Sequence, residues 1–424
     1  MNGYRMILSK EQTARFGFKD NGNILVLGQV GTYKTRGHVL PNIMEQDNIS
    51  MVISDTKGEL QAKTEKLLKE KGYKVKCVNF ENPKASKNHF NPLAYISTPE
   101  DIVETSSIIV SELHPGFRQD PYWDNASTIL LNAIIAYLIE ECRPSERTLE
   151  NVRKLICAFE VADSQEPRKS ALEIIFEDLA KKHQDKSILH RSFALEQWAA
   201  FKTIKSSERT VACIVSTLLG KFTQFLTPDI SNLTCMDDLR FGRIGAEKTA
   251  LFINVSDVDR SKDKLVSIFY SLLLNKLRTV ADHQPDRGLP VHVHFYMDDF
   301  ATNVIIPSFP NYISCLRSRE ISFTLVLQSE NQLRSLYGED SNTIIANCAY
   351  YLFLGSRDLQ CCQDISKRMN VPLDRVLYKS KDEVFILGNF SKPIIDRIYD
   401  VRNHPNYAKL ESERYYSTAA ECCR

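Results

Sequence analysis

Two short stretches carry residue types that fit phosphate chemistry. The first runs through Gly28, Gly31, Thr32, Tyr33, Lys34 and Thr35. It follows the aliphatic run 24–27 and opens a helix, which is the layout of a P-loop. In such a loop backbone N–H groups and a helix N-terminus cradle phosphates, the Lys reaches the outer phosphates and the Thr hydroxyl binds magnesium. One position departs from the pattern G-x-x-x-x-G-K-[ST]. The residue before the Lys is Tyr33, where a glycine has no Cβ to keep its backbone from a phosphate. The Tyr ring is expected to crowd the tightest part of the loop. The second stretch, 291–297, ends in Asp298-Asp299. The first carboxylate at such a strand end holds Mg²⁺ through its water shell, and the next orients the attacking water. Asp299 is one methylene shorter than the Glu of most ATP-hydrolysing motors, so its carboxylate falls about 1.5 Å short. Each stretch alone has an ordinary explanation, a Lys-Thr after a strand or a solvated strand end. Together, with parallel-strand patterning between them, they argue for a nucleotide site. Further on, a strand at 323–328 ends in Gln328, placed to sense a γ-phosphate. Arg317 and Arg319 are either surface pairs or an arginine finger for a neighbouring subunit's nucleotide.

The elements that must position these residues follow from hydrophobic patterning. Runs at 24–27, 51–55 and 74–80, separated by helical segments at 35–44 and 61–71, give a βαβαβ opening and predict a parallel sheet covered by helices. Pro41 is expected to end or kink the first of those helices. Residues 1–20 read as a short strand or loop on the sheet edge. The lysines of the second helix (Lys63, Lys66, Lys69, Lys71) read as a solvated face, with contact to nucleic acid as the alternative. From about 101 to 227 the pattern is helical with little strand signal. The segment 129–139 reads as a buried helix; Trp198 reads as a packed ring, and Lys202, Lys205 and Arg209 as surface charge. Strands resume at 249–255, 291–297, 323–328, 350–355 and 383–388, and the chain after Asn403 reads as a loosely held polar tail. The fold class expected is therefore α/β: residues 1–140 and 228–406 form a discontinuous nucleotide-binding domain, 141–227 an inserted all-α domain, and 407–424 a polar tail.

Composition excludes several classes. With 424 residues, 43% of them hydrophobic, and a net charge of +1, the chain is a globular protein with no global basic field, so any contact to nucleic acid has to be local. Eleven cysteines include no Cys-x-x-Cys pair. The adjacent pairs Cys361-Cys362 and Cys422-Cys423 suit neither a disulfide nor tetrahedral metal binding, which reads as reduced thiols in a cytosolic compartment. His292 and His294 alternate on a strand without a third ligand and read as packing or capping groups. No segment reads as a signal peptide or a transmembrane helix.

The stretches 23–42, 52–59, 120–126, 291–301, 316–322 with Gln328, and 344–356 together resemble the conjugative coupling proteins of type IV secretion, the TraG/TraD-type DNA-transfer ATPases. The resemblance covers most of the chain, in the family's order. It implies a RecA-like nucleotide-binding domain with an inserted all-α domain, using ATP and Mg²⁺. It further implies a homo-hexameric ring that brings relaxase-bound single-stranded DNA to the secretion channel proteins. On this reading Lys34 binds the β- and γ-phosphates, Thr35 and Asp298 hold Mg²⁺, Asp299 orients water, and Gln328 senses the γ-phosphate. The family's usual N-terminal membrane helices are not among these residues, so a cytoplasmic location peripheral to the membrane is expected, with the anchor lost or on another chain. The segment 370–383 is shorter than the family's connection. Tyr33 for Gly and Asp299 for Glu predict weakened ATP binding and hydrolysis. They also define the rival reading, a degenerate, non-hydrolysing docking module for DNA-transfer proteins. A small-molecule kinase leaves the helical block and Gln328 without a role.

Overall fold

The computed structural model describes residues 3–111, 121–159, 169–183, 192–204, 208–256, 258–300 and 305–410. Asp120, Lys205, Ala301, residues 163–167, which read from sequence as a polar loop, Cys422-Cys423 and the tail from 411 onward lie outside them. Two compact units emerge, one of Met1–Glu81, Arg240–Asp259 and Leu273–Arg424, the other of Asn82–Leu239 and Arg260–Leu272.

The first unit is built on a sheet whose strands are β3 (Ile24–Gly28), β4 (Ser50–Ser54), β5 (Lys74–Asn79), β6 (Thr249–Asn254), β7 (Val293–Met297), β8 (Ile321–Leu327), β9 (Tyr350–Gly355), β10 (Glu383–Gly388) and β11 (Ile394–Arg397). Their order is β11-β10-β9-β3-β8-β7-β4-β6-β5. From β9 to β5 every neighbour is parallel; β10 and β11 close one edge antiparallel. The central strands β3, β4, β7 and β8 are buried at every position, which is why their sequences read as unbroken apolar runs. The edge strand β5 is instead only partly buried and carries Lys74 and Lys76, charges that discourage further strand pairing. β3 to β4 skips two positions in the sheet, and β7 and β8 later fill them. That crossover brings residues near 300 and 328 beside a loop that begins at residue 28.

Within β7 and β8 a chain of buried polar groups satisfies itself. His292 Nδ1 lies 3.0 Å from Glu320 Oε2 and its Nε2 lies 2.7 Å from Ser322 Oγ. His294 bonds Ser322 Oγ at 2.7 Å and Thr324 Oγ1 at 2.8 Å. Both rings are thus absorbed in packing, as alternation on the strand suggested.

The structure bears on four local expectations. Residues 4–16 form their own two-stranded antiparallel sheet, β1 (Tyr4–Ile7) and β2 (Thr13–Phe16), rather than an added edge. Pro41 does not end its helix. A π-helical turn, Thr35–Val39, comes first and runs on into helix α1 (Leu40–Glu45), so the regular α-helical hydrogen bonding is interrupted just before Pro41 and resumes with it. The lysines of helix α2 (Glu59–Glu70) keep to the solvated face read for them: Lys66 and Lys69 are exposed, and Lys63 pairs with Glu59, Lys69 with Glu65, and Lys71 just past the helix with Asp47. The chain after Asn403 is held at least to residue 410, since His404 is buried 3.2 Å from Glu45 Oε2 and Leu410 packs on the core.

The second unit is helical. It contains α3 (Pro99–Val110) and α4 (Pro121–Glu141), followed by the helices Leu149–Cys157, Ala171–His183, Phe193–Ile204 and Glu208–Phe225. Its division at 82 and 239 differs from the 141–227 block read from sequence. The reason is that α3 and α4 pack on this unit's helices, and an apolar helix does not reveal its partner. Leu131, Ile134 and Ile135 of α4 are buried, and Trp198 stacks on Phe176 at 4.4 Å between ring centroids. No described helix is long and apolar enough to cross a membrane.

Candidate functional site

In a parallel sheet ligands collect outside the carboxyl ends of the strands, and the first unit gathers its polar side chains there. Leu27 pairs with Leu327, so Gly28 at the end of β3 lies beside Gln328 after β8. Met297 pairs with Leu325 on one side and Ser54 on the other, which puts Asp298 between the β8 and β4 ends and beside Asp55.

The loop 28–35 is concave because its backbone turns left-handed twice, at Gly31 (φ +80°) and Tyr33 (φ +62°). Alternation of right- and left-handed residues points successive N–H groups inward, the geometry of an anion nest. Tyr33 therefore adopts the backbone that the missing glycine would supply. Its ring does not fill the loop; 54% of Tyr33 is exposed, on the side facing residues 398–402. Thr32 closes the turn by donating its N–H and hydroxyl to the Gln29 carbonyl at 3.3 and 2.7 Å.

Lys34 is buried, and its Nζ donates to the carbonyl oxygens of Gly28 at 2.7 Å and Gln29 at 3.0 Å. Burial holds its pKa below the usual lysine value, against the pull of Asp299 and Asp298. Thr35 Oγ1 donates to Asp298 Oδ2 at 2.6 Å. Burial pushes the Asp298 carboxyl up to about 6, Asp299 adds to the rise, and the Thr35 bond and Lys34 oppose it. Asp299 itself sits in left-handed backbone (φ +50°), followed by Phe300, whose N–H donates to the Val326 carbonyl at 3.0 Å.

Among the described residues no three His, Cys, Asp or Glu side chains form a metal cage. Thr35 and Asp298 still fit a magnesium ion, because Mg²⁺ keeps several waters and is held by one or two side-chain oxygens plus substrate phosphates. A buried carboxylate with a raised pKa, hydrogen-bonded to a hydroxyl, is a donor pair in need of a positive charge.

Asp55 belongs to the polar run 54–59 at the end of β4, which sequence reading marks as a place for ligand contacts without giving Asp55 a role of its own. Its carboxylate caps α2, accepting from Gln61 N–H at 2.8 Å, and burial raises its pKa. Its charge is one of those that raise Asp298. A polar run at a strand end is the same signal that marked Asp298.

Arg317 and Arg319 are not brought to this edge. They precede β8, whose seven residues separate them from Gln328 by about 20 Å at roughly 3.3 Å per residue. Arg319 donates to Asp282 Oδ1 at 3.1 Å and to the Cys315 carbonyl at 3.3 Å, while Arg317 is exposed. Neither reaches this chain's own loop.

Gly28 is where the loop is tightest. A Cβ there would lie 2.4 Å from Thr32 Oγ1 and 2.9 Å from Leu354 Cβ. Gly28→Ala is expected to distort the loop and weaken binding of a fluorescent ATP analogue at least tenfold, while circular dichroism stays native; unchanged affinity would show that the loop yields.

Comparison with solved structures finds this architecture in the bacterial conjugative coupling protein TrwB. Its sulphate-bound trigonal form matches with a TM-score of 0.65 at 15% identity, over 95% of this chain and 96% of that one. TrwB in complex with ADP and Mg²⁺ matches at 0.62 and 14%, over 94% of each chain. VirB4 of Thermoanaerobacter pseudethanolicus matches at 0.53 and 14%, over 96% of this chain and 98% of that one. At these identities the likeness establishes the fold. No curated protein sequence matches the chain. Residues 5–369 match the family described as type IV secretory system conjugative DNA transfer, and the chain belongs to that family.

Proposed function

We propose that the chain is an ATP-dependent DNA-transfer motor that binds Mg²⁺–ATP at 28–35 and carries relaxase-bound single-stranded DNA to the type IV secretion channel. The observation that carries this reading is the 2.6 Å bond between Thr35 and Asp298, 263 residues apart in sequence, at the mouth of a loop with the backbone of a phosphate nest. Lys34 would leave the Gly28 and Gln29 carbonyls for the β- and γ-phosphates, and Thr35 with Asp298 would hold the magnesium. Bound there, Mg²⁺ supplies charge neutralisation at the phosphates. Asp299 would orient the attacking water and Gln328 would sense the γ-phosphate.

A homo-hexameric ring suits the position of Arg317, which only a neighbouring subunit could use. The second unit is the counterpart of the inserted all-α domain, and a place at the inner membrane face follows from delivery to a secretion channel. TrwB has been solved with ADP and Mg²⁺ and with the ATP analogue ADPNP, which supports the cofactor assignment. The docking-module reading draws on Tyr33 and Asp299. It loses half its support because Tyr33 keeps the loop's left-handed backbone.

Equilibrium binding of a fluorescent ATP analogue with Mg²⁺ tests the proposal. Micromolar affinity is expected, lost at least 100-fold in Lys34→Ala, with hydrolysis stimulated by single-stranded DNA. Absence of binding in both proteins would hand the function to the docking reading.

A further inference from the structure

The first unit holds a cavity of about 400 Å³ immediately beside the loop, on the side where Tyr33 projects, within the range of roughly 300–1,000 Å³ typical of ligand sites. Tyr33, Arg36 and Tyr399 line it with Asp382, Asp400 and Arg402. Glycine at residue 37 lets the segment that carries Ile398 approach closely, since a Cβ there would lie 2.4 Å from Ile398 Cγ2. The wall carries paired charges and is fixed in place, the Asp382 carboxylate accepting from Ser380 Oγ and lying 3.7 Å from Arg397 Nε. Arg402 forks onto Asp400, with Nη2–Oδ2 at 2.6 Å and Nε within 3.0 Å of both oxygens. The Ile398 N–H donates to the Asp382 carbonyl at 2.7 Å.

From this arrangement we infer that the cavity is a base subsite, in which the Tyr33 ring stacks on a purine and the Asp382 and Asp400 carboxylates face its edge. The inference rests on the nucleotide reading above and deepens it. Tyr33 has its backbone in the phosphate nest and its ring in the cavity, so one residue spans the two ends of a nucleoside triphosphate. Aromatic rings stack on bases through their faces, and two fused rings cover a phenol more fully than one. Carboxylates accept hydrogen bonds from amino groups on a purine edge. What departs from the P-loop pattern at this position is thus a gain of base affinity in place of glycine's freedom.

The test is competition against a ribose-labelled fluorescent ATP with Mg²⁺, using ATP, CTP and inorganic tripolyphosphate on wild type, Tyr33→Ala, Tyr33→Phe and Lys34→Ala. Alanine is chosen over glycine because it keeps the cost of left-handed backbone that tyrosine already bears. Tyr33→Ala is expected to weaken ATP about tenfold, the size of one base–aromatic stack, and to leave tripolyphosphate within twofold. Tyr33→Phe should keep wild-type affinity, and CTP should compete several-fold worse than ATP. Equal loss for ATP and tripolyphosphate in Tyr33→Ala, no loss for either, or CTP matching ATP would overturn the inference alone, provided that Lys34→Ala still abolishes binding. Binding that ignores Lys34→Ala would overturn the nucleotide reading and the base subsite together.

Discussion

Replacing Asp298 by asparagine is expected to raise the melting temperature of the nucleotide-free protein at pH 8, and to remove the further rise that Mg²⁺–ATP gives the wild type. The two effects have one cause. Asp298 is buried, and burial moves its carboxyl from an ordinary value near 3.8 to about 6. Below about pH 4 the group is protonated in both the folded and unfolded chain and costs nothing. As pH rises from about 4 to 6 the unfolded chain releases the proton while the folded chain still holds it, so stability falls. Above about 6 the full penalty of about 3 kcal/mol is present. Asparagine has the same shape, can still accept from Thr35, and carries no charge. The gain should therefore appear at pH 7–8 and vanish near pH 4, a profile that thermal melts across pH measure directly. The lost function is the counterpart, since the ion that would repay the buried charge has no anion to meet. Ligand at about 100 times its dissociation constant stabilises by about 2.7 kcal/mol, and the variant should show almost none of that with Mg²⁺–ATP. A variant less stable than wild type at both pH values would mean that the carboxylate's hydrogen bond outweighs its charge.

On the proposed reading, a buried carboxylate that destabilises the empty fold is one that a bound cation would satisfy, and its position was legible in the sequence. Apolar runs in buried strands have little alternation to obscure them, so the parallel pairing of β9 with β3 falls on the residues read from sequence, 350–355, and the antiparallel β10 likewise on 383–388. Strand ends carry the polar residues, which is why Asp298, Gln328 and Gly28 were visible as a set. What stayed hidden depends on contacts between distant residues. Nothing in 1–20 says that Tyr4 and Phe16 pair in a separate hairpin. Nothing near His404 announces Glu45, 359 residues away, as its partner. Arg319 reads equally as a finger or a surface pair until Asp282 is seen beside it. Tyr33 was misjudged for a different reason. A sequence pattern records that glycine is missing, whereas the backbone angle and the direction of the ring decide what its replacement does.

Substituting Asp299 by glutamate is expected to raise DNA-stimulated ATP turnover on the order of 10²-fold, with nucleotide affinity within twofold of wild type. The added methylene extends the carboxylate by about 1.5 Å, and a misplacement of about 1 Å at a reacting centre can cost 10²-fold. Asp299 has left-handed backbone, which aspartate tolerates better than glutamate, so a small loss of thermal stability should accompany the gain. Adding Tyr33→Gly separates the two departures from the P-loop ATPase pattern. If Tyr33 obstructed the loop, the double variant would turn over faster than Asp299→Glu alone. Because the loop already has its left-handed backbone and the ring faces the cavity, the double variant should match the single one at saturating ATP and need about tenfold more ATP to reach half its rate. Steady-state kinetics of wild type, Asp299→Glu and the double variant decide this. Turnover that falls in Asp299→Glu would mean the site is built around the shorter carboxylate. If ATP binding survives but neither the wild type nor Asp299→Glu hydrolyses it, the nucleotide serves as a ligand that sets the shape of a docking surface, because lengthening the one short group in an otherwise assembled site would then have restored nothing.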